Sequence, residues 1–144
     1  MTTHRLNLLV PVDGSAGGER AVEHAIMLAS WGLVDHVHLI NVQYPLPGAV
    51  STFVGKKAVS GYHHDEGMKQ LKPACDKLDA AKVPHHVHIV VGQPAETIVA
   101  FCDELKCDAI VMGSRGHGKA VGLILGSVAR DVIARASAPV TVVK

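Results

Sequence analysis

The chain has 144 residues, of which 48% are hydrophobic and 19% charged, and its formal net charge is +1 at pH 7. This composition excludes an intrinsically disordered protein, and the length suits one compact domain, which we assign to residues 1–144. The near-neutral charge, with lysine and arginine scattered along the chain, argues against DNA or RNA as a partner, and no apolar run approaches the roughly 20 residues that a membrane helix needs.

Five short apolar runs, rich in β-branched residues, are typical of strands. They lie at residues 6–12, 37–42, 87–91, 109–112 and 140–143. Because their apolar character is nearly continuous rather than alternating, they favour a parallel sheet that helices cover on both faces.

Helical periodicity fills the segments between these runs. The first helix follows Ser15, a suitable N-cap, and Pro94 and Ser127 begin the third and fourth helices. Pro73 lies inside the apolar stripe of the second helix, where it should either kink the helix or mark its true start. The alternation of strands and helices predicts an α/β fold, a three-layer α/β/α sandwich.

Residues 44–62 form a long segment rich in proline and glycine. Its length exceeds that of most connections in a compact domain. Two interpretations remain open at this stage: a mobile flap, or a frayed start of the second helix.

The most informative motif follows the fourth predicted strand. Gly113 and Gly116 are followed, after nine residues, by Gly126 and Ser127, in the pattern G-x2-G-x9-G-S. Glycine lets the backbone approach an anion closely, and the amide groups at a helix N-terminus favour phosphate. The two glycine clusters therefore predict a two-part phosphate site.

Two other glycine motifs compete for the same loop. A Walker A motif would use Lys119, but Ala120 stands where a hydroxyl should bind Mg²⁺, and the following chain is short. The dinucleotide pattern G-x-G-x-x-G fails at Val121 and would follow the wrong strand. Neither a P-loop nor a dinucleotide site is favoured.

The sequence Pro11-Val12-Asp13-Gly14-Ser15 after the first strand, the complete glycine motif and the closing Ala138-Pro139-Val140 together resemble the universal stress protein family, in its ATP-binding branch. The resemblance covers the whole chain. It implies a five-stranded parallel sheet of order 3-2-1-4-5, a Rossmann-like architecture similar to the adenine nucleotide alpha hydrolases. Gly17 and Gly18 depart mildly from the family pattern and are expected to loosen the start of the first helix.

The resemblance also implies that an adenine nucleotide binds at the carboxyl ends of the first and fourth strands. ATP is the expected ligand, with AMP and ADP as alternatives, and Asp13 should lie near the ribose or a Mg²⁺ ion. The expected contacts are Pro11, Val12, Asp13, Val42, Met112, Gly113, Ser114, Arg115, Gly116, His117, Gly126, Ser127 and Val128. Simpler explanations compete: Asp13 could begin an Asp-Gly turn, Ser127 could cap a helix, and Val42 and Met112 could be core residues.

Catalysis is not the expected role of this site. ATP hydrolysis needs a positioned water and usually a base, and His117 is the one candidate base in the loop. We therefore predict a nucleotide-binding regulator of the stress response with at most slow turnover. The alternatives are a slow ATPase and a nucleotide-free interaction module of the same fold.

Two further expectations concern location and assembly. Cys75, Cys102 and Cys107 form no CxxC pair, which is typical of reduced thiols and predicts a cytoplasmic protein. The last strand should be a sheet edge, and exposed apolar edges invite pairing. Since this strand commonly pairs across a two-fold axis in the family, the resemblance implies a homodimer.

Four of the ten histidines lie near the starts of the second and third strands: His36, His38, His86 and His88. Their i,i+2 spacing points each pair to one face of the sheet, so they would converge if the two strands are neighbours. Such a group could bind Zn²⁺ or titrate near pH 6 to 7. We favour the simpler interpretation of exposed strand-end histidines, because no cysteine, and no carboxylate except Asp35, completes a ligand set.

Overall fold

A computed structural model describes residues 3–48, 55–116 and 125–144. Within these ranges the chain alternates strands and helices. The strands are β1 Leu6–Pro11, β2 Val34–Gln43, β3 His85–Val91, β4 Ala109–Gly113 and β5 Val140–Val143. The helices are α1 Ala16–Ser30, α2 Lys56–Ala80, α3 Pro94–Leu105 and α4 Ser127–Arg135. Among the described residues, no helix combines the length and the apolar character needed to cross a membrane.

The five strands form one parallel sheet of order β3-β2-β1-β4-β5, which confirms the predicted topology. The order reverses between β1 and β4, which pair through Leu8 with Ala109 and Leu9 with Ile110. The loops after β1 and β4 therefore leave the sheet side by side at its carboxyl end. In open α/β sheets this switch point is where ligands bind.

Successive residues of each strand point to opposite faces and feed two separate cores. Leu8 and Val10 pack with Leu71 and Leu78 beneath α1 and α2. Leu9 belongs to the other core, under α3 and α4. Burial on both faces explains why the strand sequences are apolar without alternation.

The strand boundaries differ from the prediction by up to three residues. β2 begins at Val34 and β3 at His85, so polar residues near their starts are part of the strands. β1 ends at Pro11, and Val12 already belongs to the loop. The ends of the strands are set by backbone pairing between neighbouring strands, which the apolar pattern of the sequence does not reveal.

The helix starts agree with the sequence at α1 and α3 and disagree at α2. Ser15 caps α1 by accepting a hydrogen bond from the Gly18 amide at 3.5 Å, and Pro94 occupies the first turn of α3. α2 begins at Lys56 and runs through Pro73, so the proline does not mark its start. Leu71, Ala74 and Leu78 are fully buried around it, and this burial outweighs the lost backbone hydrogen bond. The late part of segment 44–62 is thus helical, whereas residues 49–54 lie outside the described ranges.

Candidate functional site

A cavity of about 600 Å³ lies at the carboxyl end of the sheet, over the switch point between β1 and β4. The ends of β1, β2 and β4 form its floor, and the first residues of α4 form one wall. Pockets for small ligands typically measure about 300–1,000 Å³. The cavity is therefore large enough for a nucleotide, and it lies where open α/β sheets bind ligands.

The structure brings the residues expected at the site together. Those on the cavity wall are Pro11, Val12, Asp13, Val42, Met112, Gly113, Ser114, Arg115, Gly116, Gly126, Ser127 and Val128. His117, the remaining expected contact, lies outside the described residues, as do Lys119, Ala120 and Val121, on which the competing motifs depended. Residues more than a hundred positions apart in sequence thus share one wall.

Two glycines hold the first turn of α1 directly against the end of β4. A Cβ on Gly113 would lie 2.6 Å from the carbonyl carbon of Gly17, and a Cβ on Gly17 would collide with the carbonyl oxygen of Arg115. The expectation that Gly17 merely loosens the start of α1 is therefore wrong. Its missing side chain lets the α1 backbone support the loop that follows Gly113.

Asp13 turns the chain and also faces the glycine loop. Its Oδ1 accepts a hydrogen bond from the Ser15 amide at 2.9 Å, while Gly14 has a φ of +86°, so Asp13 does begin an Asp-Gly turn. A Cβ on Gly116 would lie 2.6 Å from Asp13 Oδ2. The carboxylate therefore lies against the glycine loop.

Gly126 has a different role from the one expected. It is itself the N-cap of α4, with Ser127 as the first helical residue, so the interpretation of Ser127 as the cap is wrong. The Gly126 amide donates a hydrogen bond to the Ser114 carbonyl at 2.6 Å, and is not available to a phosphate in this conformation. A Cβ on Gly126 would lie 3.4 Å from the Arg115 Cα, and this tight approach explains the glycine. The amides of Ser127 and Val128 come next, in the first turn, where a helix offers them no acceptor.

Arg130 is a wall residue that the sequence analysis missed. It lies one turn into α4, its side chain is exposed, and it lines the cavity three residues after Ser127. A guanidinium in this place can bind phosphate oxygens through charge-assisted hydrogen bonds. Helical periodicity from Ser127 would have found it, since residues three apart lie on one helix face.

A network of buried amides supports the opposite wall, and sequence analysis missed it too. Asn41 is fully buried and donates from Nδ2 to the Val12 carbonyl at 2.8 Å and to Gln70 Oε1 at 2.7 Å. Gln43 donates to Asn41 Oδ1 at 2.6 Å. These bonds join β2 and α2 to the loop after β1, and Gln43 and Gln70 line the cavity. The signal was present, because Asn41 interrupts the apolar run after His38 and Gln43 ends the strand.

The four histidines converge in the amino-terminal halves of β2 and β3, and none of them lines the cavity. His38 and His86 are register partners on β2 and β3, and His38 Nδ1 lies 3.0 Å from His88 Nε2. The ring centroids of His36 and His86 are 4.2 Å apart. We call these four residues the histidine array. The favoured interpretation of exposed histidines holds for His86, whereas strand pairing brings the four rings together and leaves the other three partly buried.

Burial, together with the neighbouring rings of His36, His88 and His86, lowers the pKa of His38 to about 4. Burial also lowers the pKa values of His36 and His88, with His86 adding to both effects. The carboxylates of Asp35 and Glu104 act in the opposite direction on His36 and His88. Across the described residues, no group of three or more potential ligands has an arrangement that could hold a metal ion.

The family of this chain follows from its sequence as a whole. The model of the universal stress protein family matches residues 5–144. This chain belongs to the universal stress protein family. It is 36% identical over 143 residues to universal stress protein MJ0531 of Methanocaldococcus jannaschii, with 95% of this chain and 81% of that protein covered.

Solved structures show the same fold. Protein MJ0577 of M. jannaschii superposes with a TM-score of 0.84 at 27% identity, covering 99% of this chain and 97% of that one. A universal stress protein in complex with cAMP gives a TM-score of 0.74 at 27% identity, with 99% of each chain covered. The universal stress protein of Archaeoglobus fulgidus in complex with dAMP gives 0.66 at 26% identity, covering 99% and 100%. Relatives of this chain thus bind adenine nucleotides.

Proposed function

We propose that this universal stress protein binds an adenine nucleotide, with ATP as the preferred ligand, in the cavity at the switch point. The observation that carries the proposal is the backbone cradle, a set of close backbone contacts around the cavity. A Cβ on any of its four glycines would lie 3.4 Å or less from another atom of the protein: Gly17, Gly113, Gly116 and Gly126. Such glycines keep backbone and ligand space open where side chains would close it.

The cavity offers distinct surroundings to the two ends of a nucleotide. Val42, Ile40 and Ile98 provide an apolar wall for adenine, beneath the amide network of Gln43 and Gln70. The amides of Ser127 and Val128, with Arg115 and Arg130, provide donors and positive charge for phosphates. The ligands of these two relatives, cAMP and dAMP, share adenine and differ in their phosphate linkage and sugar. Adenine is therefore the part of the ligand that we expect this cavity to select.

The role that we propose is regulation by binding, with at most slow hydrolysis. Asp13 is the carboxylate among the described wall residues, and one of its oxygens already holds the Ser15 amide. A carboxylate here is suited to a ribose hydroxyl or to Mg²⁺, and Mg²⁺ would neutralise phosphate charge when it accompanies ATP. A purified sample that hydrolysed ATP at about 1 per second or faster would make the protein an enzyme.

We further propose that the active form is a homodimer that pairs through β5. β5 is an edge of the sheet, with β4 on its one paired side, and its four residues are Val140, Thr141, Val142 and Val143. If two such edges paired, hydrogen bonds between them would satisfy the backbone N–H and C=O groups that an edge strand leaves unpaired. Sedimentation equilibrium at micromolar concentration should give the mass of two chains, and a single-chain mass would contradict this proposal.

Two measurements test the nucleotide proposal. Mass spectrometry of small molecules released from protein purified without added ligand should identify an adenine nucleotide and say whether it is ATP, ADP or AMP. The double substitution Gly116→Val with Gly126→Val should abolish ATP binding in calorimetric titrations while circular dichroism still shows the folded protein. Unchanged ATP affinity in this variant would show that the cradle is not the site and favour a nucleotide-free interaction module.

A further inference from the structure

Tyr44 is an aromatic residue on the wall of the cavity over the switch point. It is the first residue after β2, it lines the cavity, and it is 62% exposed. Among the described wall residues it is the one aromatic side chain. A large ring that lies open beside a cavity offers a flat apolar surface that a bound molecule can cover.

The alternation of side chains along β2 points Tyr44 toward the apolar wall of this cavity. Ile40 and Val42 lie on the face of the sheet that packs under α3 and α4. Residues 44–47 form neither a helix nor a turn, and Pro45 favours an extended backbone at the residue before it. Because side chains two apart in an extended chain share a face, Tyr44 continues the row of Ile40 and Val42.

Hydrogen bonds to Gln43 fix the end of the strand that carries Tyr44. The Gln43 carbonyl accepts a hydrogen bond from the Gly92 amide at 2.9 Å. The Gln43 side chain donates to Asn41 Oδ1 at 2.6 Å and to Gln70 Oε1 at 3.4 Å. Because this strand end is already ordered, a ligand that covers the Tyr44 ring costs less conformational entropy than one that must order a loop.

A flat aromatic base is the kind of ligand group that suits an open ring in this place. We propose that Tyr44 stacks on the adenine ring of the bound nucleotide and holds it beside Val42, an inference that rests on the proposed nucleotide function. Stacking on an aromatic side chain contributes on the order of 10-fold in affinity for a base. Since every base has a π face, Tyr44 strengthens the binding of the base and leaves the choice among bases to polar groups.

Two substitutions at this position separate the ring from its hydroxyl group. Tyr44→Ser removes the ring, and calorimetric titration of the full chain should show about 10-fold weaker binding of both ATP and adenosine. Inorganic triphosphate, which has no base, should bind this variant as it binds the parent protein. Tyr44→Phe keeps the ring and should retain the ATP affinity of the parent protein, because stacking does not use the hydroxyl.

Proton spectra of the ligand report stacking directly. The ring current of Tyr44 should shift the two adenine ring protons of bound ATP upfield, and Tyr44→Ser should remove this shift, which a merely structural role would not affect. The matched control is Tyr62→Ser in α2, at a tyrosine that is 51% exposed and does not line this cavity. It should leave both the affinity and the shift unchanged. Circular dichroism checks that each variant is folded, which we expect because both tyrosines are exposed.

The outcomes that would overturn this inference differ from those that would overturn the nucleotide proposal. If the parent protein and Tyr44→Ser bind ATP equally well, the ring does not hold the base, and the nucleotide proposal still stands. An equal loss of affinity for ATP and inorganic triphosphate would place Tyr44 at the phosphates and overturn the stacking. A loss in Tyr44→Phe as large as that in Tyr44→Ser would assign the contact to the hydroxyl and overturn it as well. A parent protein that binds neither ATP nor adenosine would refute the nucleotide proposal itself.

Discussion

The two ends of the sheet carry polar groups of different kinds. At the carboxyl end, the cavity is shaped by backbone segments that glycines hold in contact, such as Gly17 against Gly113. At the amino end, the histidine array is made of side chains that two neighbouring strands stack together. The first arrangement should be sensitive to any added Cβ, whereas the second should be sensitive to pH.

The largest expected effect is that of a single methyl group at the carboxyl end. Gly17→Ala places a Cβ against the carbonyl oxygen of Arg115, and we expect it to lower the free energy of unfolding by about 2 kcal/mol. ATP affinity should fall as well, because the displaced loop carries Arg115 and Gly116. Urea denaturation and calorimetry measure both effects. A variant as stable as the parent protein would show that the backbone contact is not tight.

A smaller effect is expected for the positive charge on the cavity wall. Arg130→Met keeps the length of the side chain and removes its charge, so ATP affinity should fall about 10-fold while adenosine affinity stays the same. Competition titrations with the two ligands give this ratio. Arg135→Met, on the same helix but off the cavity wall, is the matched control. Equal losses for ATP and adenosine would place Arg130 away from the phosphates.

The amino end should respond to acid. The pKa of His38 in the folded protein is about 4, below its ordinary value of 6.5, so the unfolded chain binds more protons between these pH values. The stability is therefore complete above pH 6.5 and decreases as the pH falls toward 4. Since the array is partly exposed, we expect a loss of about 1 kcal/mol, well below the value for a dry site.

Urea denaturation between pH 4.5 and 7.5 measures this loss, and one substitution assigns it. In His38→Leu the slope of stability against pH should flatten between pH 6.5 and 4.5, relative to the parent protein. The same change at His24, on α1 and outside the array, should leave the slope as it was. Identical slopes in the parent and His38→Leu proteins would show that the histidine array does not cause the loss of stability at low pH.

The smallest effect should be stabilising and completes the comparison among glycines. Gly61 lies in α2, and a Cβ there would meet no atom within 4 Å. Gly61→Ala should therefore raise the free energy of unfolding by about 0.5–1 kcal/mol through helix propensity. Measured beside Gly17→Ala, it separates the general cost of glycine in a helix from the specific contact with the loop. A loss of stability would mean that the start of α2 has unrecognised neighbours.

Much of the fold was predictable, because local patterns reflect the environment of each strand. The continuous apolar runs correctly predicted a parallel sheet, and Ser15 and Pro94 marked two helix starts through their local backbone chemistry. Pro73 left open where α2 begins, and the structure places that start at Lys56. The stabilisation from Leu71 and Leu78, buried beneath it, comes from contacts with distant strands, which a local rule for proline does not include.

The sequence by itself determined the family, the element order and the residues of the glycine motif, since these depend on residue types at fixed spacing. Only the tertiary structure decided what each glycine is for. Gly126 donates its amide to Ser114, and Gly17 supports Arg115, because helix and loop meet across a sheet that joins distant parts of the chain. The same holds for the histidine array. Burial and strand pairing depend on which residues are neighbours in space. The spacing of residues in the sequence predicts such neighbours only within one helix or strand.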